Sequence, residues 1–346
     1  MGYDAIAIVS FGGPERRDEV MPFLENVLRG RSVPEQRKLE VAGHYYALGG
    51  ASPIAAATRA LAAALQSELD LQGPRLPVYI GNRNWHPFLQ DTLQRMAGDG
   101  VRNALAIVTS AFGSYSGCRQ YREDMARARA AAGGAAPELE KIRLFYNHPE
   151  FLAIWAERVH AGLAQAPAGS ELIFTAHSIP LAMAAVSPYE EQLQDAARLV
   201  AAACGRAEFQ LAYQSRSGPL SQPWLEPSVE TALERCAARH APGAILAPLG
   251  FISDHMEVVY DLDREARRQA DALGLVMVRV RTPGDHPDFA ALLRELVLER
   301  CDPRRPRRAV GRFGAWGDDC DACRERCCLA VPAGQEGELQ CVQHSS

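Results

Sequence analysis

Seven short apolar runs, each of four to seven residues, recur along the chain and limit it to one broad class of fold. They are Ala5–Ser10, Val78–Gly81, Ala104–Ser110, Leu172–Ala176, Phe209–Tyr213, Ala244–Leu249 and Leu275–Val280. Most lack polar alternation, as strands of a parallel sheet buried on both faces do. Longer amphipathic stretches lie between them. Ile54–Leu69, Pro87–Met96, Arg119–Ala132, Glu150–Leu163, Glu190–Ala203, Val229–Ala238, Met256–Leu273 and Pro287–Glu299 read as helices. Such alternation of β and α argues for an α/β doubly wound architecture. With 346 residues, 47% of them hydrophobic, the chain can bury its core without disulfide staples and has room for about two domains. The rhythm breaks at Gly133–Pro137, and a second block of strands opens near Leu172. The expected division is therefore a first lobe over 1–145, a second over 146–309 and a cysteine-rich tail over 310–346. No internal sequence repeat is visible, although two similar lobes are compatible with the pattern.

A net charge of −5 does not mark a nucleic-acid binder. No apolar run approaches the roughly 18 residues of a membrane span. The start, MGYDAIAIVSFGGPE, carries Asp4 inside its apolar stretch and reads as a first strand, not a signal peptide. A cytoplasmic monomer with at most peripheral membrane contact and no nucleic-acid partner is expected. The run DPRRPRR at 302–308 reads as a solvated linker before it reads as an anion-binding surface.

In open α/β sheets ligands bind beyond the carboxyl ends of the strands. The first strand runs into Phe11-Gly12-Gly13-Pro14-Glu15, a tight turn that lets backbone approach a ligand. It is neither GxGxxG nor a P-loop. The strand at 172–176 ends in Ala176-His177-Ser178-Ile179-Pro180. His177 there can serve as a metal ligand, as a base, or as a satisfied buried histidine. The strand at 244–249 feeds a polar patch holding Asp254, His255, Glu257 and Asp261. On a helix Glu257 and Asp261 share a face that Asp254 joins. Capping of a first turn accounts for Asp254. It accounts less well for Glu257 and Asp261, which sit between Met256, Val258, Val259 and Leu262. A file of carboxylates near a histidine suits a hard or borderline divalent cation. Nine cysteines are present, four of them within Cys320–Cys328, and in a chain without an export signal such a cluster points to metal more than to disulfides.

Taken in order, several motifs resemble those of ferrochelatases, which insert ferrous iron into a porphyrin in haem synthesis. They are SFGGPE at Ser10–Glu15, HYYALGGASPI at His44–Ile54, GNRNWHPF at Gly81–Phe88, AHSIP at Ala176–Pro180, YQSRSGP and WLEP within Tyr213–Pro227, and FISDHMEVVYDLD at Phe251–Asp263. The resemblance spans about residues 4 to 300. It implies two Rossmann-like lobes with parallel sheets, a porphyrin cleft between them and a Cys-rich C-terminal extension. His177 matches the family's active-site histidine, as iron ligand, proton acceptor or both, and Glu257 its acidic partner across the macrocycle. Asp254, His255 and Asp261 match the iron path ending at Glu257. Tyr45, Ser52 and Tyr121 match porphyrin contacts. Arg29 and Arg31 are candidates for the porphyrin carboxylates, with a cation-decorated helix C-terminus as the other reading. Trp85, Trp224 and Tyr213 read as cleft wall or plain core, with core favoured for the tryptophans. Fe2+ and either protoporphyrin IX or coproporphyrin III are the implied substrates, and two protons leave as iron enters. A histidine in this role must be unprotonated, so activity is expected to fall on acidification toward the ordinary imidazole value of about 6.5.

Two positions depart from the family's pattern. Some members carry a tyrosine at Phe11 that can ligate product iron; phenylalanine cannot. Gly81-Asn82-Arg83-Asn84-Trp85 also stands where bulkier or aromatic residues are more usual. Some ferrochelatases hold a [2Fe–2S] cluster on three C-terminal cysteines and one distant cysteine. By that resemblance Cys118 joins Cys320, Cys323 and Cys328, with Cys327 as a possible substitute. A structural zinc site and a loose set of thiols are the other readings. A cobalt or nickel chelatase is the nearest enzymatic alternative. From outside the enzymes, a haem-binding or iron–sulfur sensor protein would keep a cleft and a cluster without needing both His177 and Glu257.

Overall fold

Eight strands form among the described residues, and seven of them lie on the apolar runs. The computed structural model describes residues 2–30, 33–218, 221–314 and 328–330. In chain order the first half holds β1 (Ala5–Ser10), α1 (Val20–Val27), α2 (Glu35–Ala47), α3 (Ile54–Gln72), β2 (Val78–Asn82), α4 (Leu89–Gly98), β3 (Asn103–Val108), α5 (Gln120–Ala132) and β4 (Glu138–Lys141). The second half holds α6 (Pro149–Gln165), β5 (Glu171–His177), α7 (Leu181–Ala184), α8 (Tyr189–Ala203), β6 (Gln210–Gln214), α9 (Val229–Ala238), β7 (Gly243–Ala247), α10 (Met256–Tyr260), α11 (Arg267–Ala272), β8 (Val276–Arg279) and α12 (Pro287–Cys301). Two turns are π-helical, Tyr115–Arg119 before α5 and Asp261–Ala266 between α10 and α11.

The strands make two four-stranded sheets in the orders β2-β1-β3-β4 and β6-β5-β7-β8. Every pairing is parallel. Both sheets therefore follow one order, a structural repeat without a visible sequence repeat. The expected α/β class with parallel sheets is what the chain adopts. Strand β4 was not among the expected ones. It reads ELEK and lies at a sheet edge, where charge guards against pairing with another chain and leaves no apolar run to detect.

One apolar cluster runs through both halves. Ile6, Ile8, Leu105 and Ile107 of the first sheet and Phe174 and Ile245 of the second join it, with Phe151 and Trp155 of α6 fully buried among them. Helix α12 returns to the first half and packs on α3. There the Arg294 guanidinium donates to the carbonyls of Gly73 at 2.5 Å and Gln72 at 2.7 Å. Beyond α12 the chain crosses the molecule as a strap. The Val310 amide donates to the Asn147 carbonyl at 3.0 Å, and the Arg312 amide to Asp195 at 3.0 Å. The basic run is paired locally, Arg305 with Glu295 at 2.6 Å and Arg308 with Glu150 at 2.7 Å.

Candidate active site

Each sheet reverses its order beside its first strand, so the crevices lie beyond the carboxyl ends of β1 and β5. Strand β1 delivers the turn Phe11–Pro14. Gly12 has φ +80°, and a Cβ there would come within 3.0 Å of Asn82 Cβ and 3.1 Å of the Trp85 nitrogen. The amides of Arg83 and Asn84 bond the carbonyls of Ser10 and Phe11, at 3.0 and 3.1 Å. The segment that departs from the family's pattern is thus the brace of this turn.

His177 ends β5 and Glu257 lies in α10, the helix after β7. The two strands are neighbours, which is why residues 80 positions apart in the chain meet. His177 Nε2 stands 3.6 Å from Glu257 Oε2, and both side chains remain partly exposed, at 33% and 42%. His177 Nδ1 lies 2.5 Å from the Ser178 carbonyl oxygen. A carbonyl only accepts, so Nδ1 carries the hydrogen, and the Nε2 lone pair of the neutral ring faces the carboxylate. Two electron-rich atoms so disposed favour a proton or a cation between them. The Tyr189 hydroxyl donates to the His177 carbonyl at 3.0 Å and pins the strand end. Nothing in the sequence around Tyr189 signals that role.

Asp261 opens the π-helical turn next to α10. Its carboxylate accepts from the Ser215 hydroxyl and, at 3.4 Å, from Gln214 Nε2. Burial pushes its carboxyl up to about 7. Ser215 holds φ +61°, a conformation costly for a non-glycine residue. Asp254 is placed differently from Glu257 and Asp261. Both its oxygens are taken by Arg279, at 2.9 and 3.0 Å, and one also accepts from Thr282 Oγ1 at 3.0 Å. His255 caps α10, its Nδ1 accepting from the Val258 amide at 3.4 Å, and burial pushes its imidazole down.

An aromatic cluster forms the wall nearby. Phe23, Tyr45 and Met256 are buried in it, with Phe11, Trp85 and Tyr260 packed against them. Trp85, open to both the wall and the core reading, is a partly buried residue packed against this cluster, its Nε1 donating to Glu19 at 3.0 Å. His44 stacks on Tyr260 at 3.9 Å, so α2 and the Glu257 helix close on each other. Burial, with a smaller push from Glu257, keeps the Tyr45 phenol protonated. Ser52 is buried against the glycine turn, its amide donating to the Pro14 carbonyl at 2.8 Å. Tyr121 is buried under the Arg83 guanidinium, 4.5 Å from its ring centroid. Arg29 is exposed just past the end of α1 and bonds Asn26 at 2.5 Å; Arg31 lies outside the described residues.

Of the candidate cluster ligands, Cys118 is 4% exposed in the π-helical turn before α5 and Cys328 is 1% exposed. Cys320, Cys323 and Cys327 lie outside the described residues. Among the described residues no set of three or more His, Cys, Asp or Glu is gathered to hold a metal, and no helix is long and apolar enough to cross a membrane.

The family model described as Ferrochelatase matches residues 3–301. A ferrochelatase of Rhodopirellula baltica is 49% identical over 334 residues, covering 95% of this chain and 94% of that protein. A coproporphyrin III ferrochelatase of Nocardia farcinica is 49% identical over 342 residues, covering 95% and 97%. Among solved structures, SirB from Bacillus subtilis with Fe3+ superposes with a TM-score of 0.53 at 11% identity, covering 86% of this chain and 97% of that one. That last likeness speaks for the fold alone.

Proposed function

The chain belongs to the ferrochelatase family, and we propose that its cleft inserts Fe2+ into coproporphyrin III through His177 and Glu257, releasing two protons on the route to haem. Metal insertion is the family's activity; the choice of porphyrin is favoured by the names of several close relatives. The observation that carries the assignment of residues is the 3.6 Å separation of His177 Nε2 and Glu257 Oε2 beside an aromatic wall. One divalent ion, with bonds of about 2.1 Å to each atom, fits that spacing. The same spacing changes one expectation. A macrocycle needs about 3.5 Å of van der Waals clearance on each side. It cannot lie between the two groups, so His177 and Glu257 address the same face.

On this reading Nε2 of His177 takes a pyrrole proton or bonds the arriving iron, and Glu257 supplies negative charge as Fe2+ loses its water. Asp261 stands one turn behind as the preceding station of the path. His255 and Asp254 hold the start of the helix that carries Glu257. Tyr45, Ser52 and Tyr121 line or back the porphyrin, and Arg29 and Arg31 meet its carboxylates. Phe11 leaves the product iron without a ligand from the glycine turn.

The tail adds a second element of the proposal, a [2Fe–2S] cluster on Cys118, Cys320, Cys323 and Cys328, with Cys327 as substitute and zinc as the alternative metal. The two ligands within the described residues fit in being buried thiols. When bound, the group cross-links tail and first lobe. The blocks 1–145, 146–309 and 310–346 are kept as the units it joins, in a monomer with at most peripheral membrane contact.

The test is anaerobic absorption spectroscopy of the purified protein with Fe2+ and each porphyrin in turn. A metalloporphyrin spectrum should grow with coproporphyrin III, and His177→Ala should abolish it while porphyrin binding persists. Growth with protoporphyrin IX alone would reassign the substrate. No metalation of either by folded protein would favour a haem-binding or sensing role.

A further inference from the structure

We propose that Arg279 is a positioning residue that clamps both ends of the acidic segment 254–263 and thereby sets where Glu257 and Asp261 stand. The inference rests on the reading of those two carboxylates given above. Arg279 closes β8, the edge strand of the second sheet, so its backbone is held by the sheet. Its guanidinium makes two bidentate pairs. Nε and Nη2 donate to Asp263 at 2.8 and 2.7 Å, and Nη1 and Nη2 donate to Asp254 at 3.0 and 2.9 Å. Four of the five N–H donors of an arginine are thereby used. The Arg279 side chain is 13% exposed, which shields these pairs from solvent more than an ordinary surface pair.

The two aspartates flank the functional segment. Asp254 lies just before α10, and Asp263 lies inside the π-helical turn that follows it. Glu257 and Asp261 fall between them. A π-helical turn is rarer and less stable than α-helix and persists where outside contacts hold it. The Asp263 pair supplies one such contact and the Asp254 pair fixes the other end. Both therefore aim Glu257 at His177. A lysine carries the charge but lacks a fork that can span two carboxylates. With both oxygens of Asp254 engaged, its work is to hold the helix.

The test uses the full-length protein with its metal content intact. Initial rates of Fe2+ insertion are measured for Arg279→Gln, Arg279→Lys, Asp254→Asn and the double variant Asp254→Asn/Arg279→Gln, with hydrogen exchange over 254–266. Arg279→Gln should lower kcat about 10–100-fold while KM for porphyrin stays within about twofold, because misplacement of a reacting group costs turnover more than binding. Exchange over 256–266 should rise, Arg279→Lys should recover the fold without recovering kcat, and the double variant should be no worse than Arg279→Gln alone. Wild-type kcat in Arg279→Gln overturns the clamp. So does an Asp254→Asn effect confined to a raised KM for Fe2+ and additive with Arg279→Gln, which would put Asp254 on the metal path. Should Arg279→Gln not fold, wild-type kcat in Arg279→Lys overturns it instead. Failure of the unaltered protein to metallate any porphyrin would sink the proposed function, while the exchange measurement would still decide the clamp.

Discussion

At His177 one peptide carbonyl decides which ring nitrogen faces Glu257. The Ser178 oxygen claims Nδ1 and leaves Nε2 to Glu257. A second histidine shows how the same side chain behaves when buried for structure. His148 is fully buried and caps α6, with Nδ1 accepting from the Glu150 amide at 3.3 Å. Burial, with Arg143 nearby, pushes its imidazole down to about 4. In the unfolded chain it titrates near the ordinary value of about 6.5. The folded state therefore binds fewer protons between those values, and stability is lost as pH falls through that window. The loss should reach about 3 kcal/mol by pH 4. Urea unfolding at several pH values should show this slope, and His148→Asn, which keeps a capping acceptor and does not titrate, should flatten it. His177 and Glu257 are candidates in the sequence because His177 ends the run at 172–176 and Glu257 lies in the polar segment that follows the run at 244–249. Ser215, Tyr189 and Arg279 are not, since their roles depend on partners 46, 12 and 25 residues away.

The strands announced themselves through hydrophobic runs, and the proposed site residues lie at or beyond their ends. The charged edge strand β4, without such a run, stayed silent, and the stretch 256–273 reads as one helix with no sign of the π-helical turn inside it. The glycine turn after β1 shows how tightly elements meet. A Cβ on Gly13 would fall 2.7 Å from Ile54 Cγ2 and 2.9 Å from Ser52 Cβ. Gly13→Ala should therefore displace the turn from α3, cost about 1–3 kcal/mol and weaken porphyrin binding. Gly43, inside α2, has no neighbour within 4 Å of its would-be Cβ. Gly43→Ala should stabilise by about 0.5–1 kcal/mol through helix propensity and a less flexible unfolded chain. Thermal unfolding of the pair should show opposite signs.

The two sheets share one apolar cluster through α6, and buried polar bonds tie the chain's far end across it. Arg143 and Glu299 form a bidentate pair at 2.7 and 2.8 Å, with side chains only 3% and 5% exposed. Glu299 also accepts from the Arg308 amide at 3.0 Å, where the strap toward the cysteine tail begins. Glu299→Ala should cost about 3–5 kcal/mol, since it strands a buried guanidinium, whereas Arg143→Met/Glu299→Leu together should cost far less. Denaturant unfolding of the three proteins measures the difference. If the proposed cluster is held on the tail, its reduction and chelation should lower the melting temperature, because metal binding that requires the folded state stabilises it.

Composition and periodicity determined the α/β class, the parallel sheets and the strands whose ends bear His177 and the acidic helix. Those are local properties, written in which residues are apolar and at what spacing. Tertiary structure decided that His177 and Glu257 stand 3.6 Å apart, that Asp254 is bound to Arg279, and that Trp85 packs against the aromatic cluster of Phe23 and Tyr45. Each depends on which strands become neighbours and how helices close over them. Contacts of that kind form between segments that carry no sequence signal of one another.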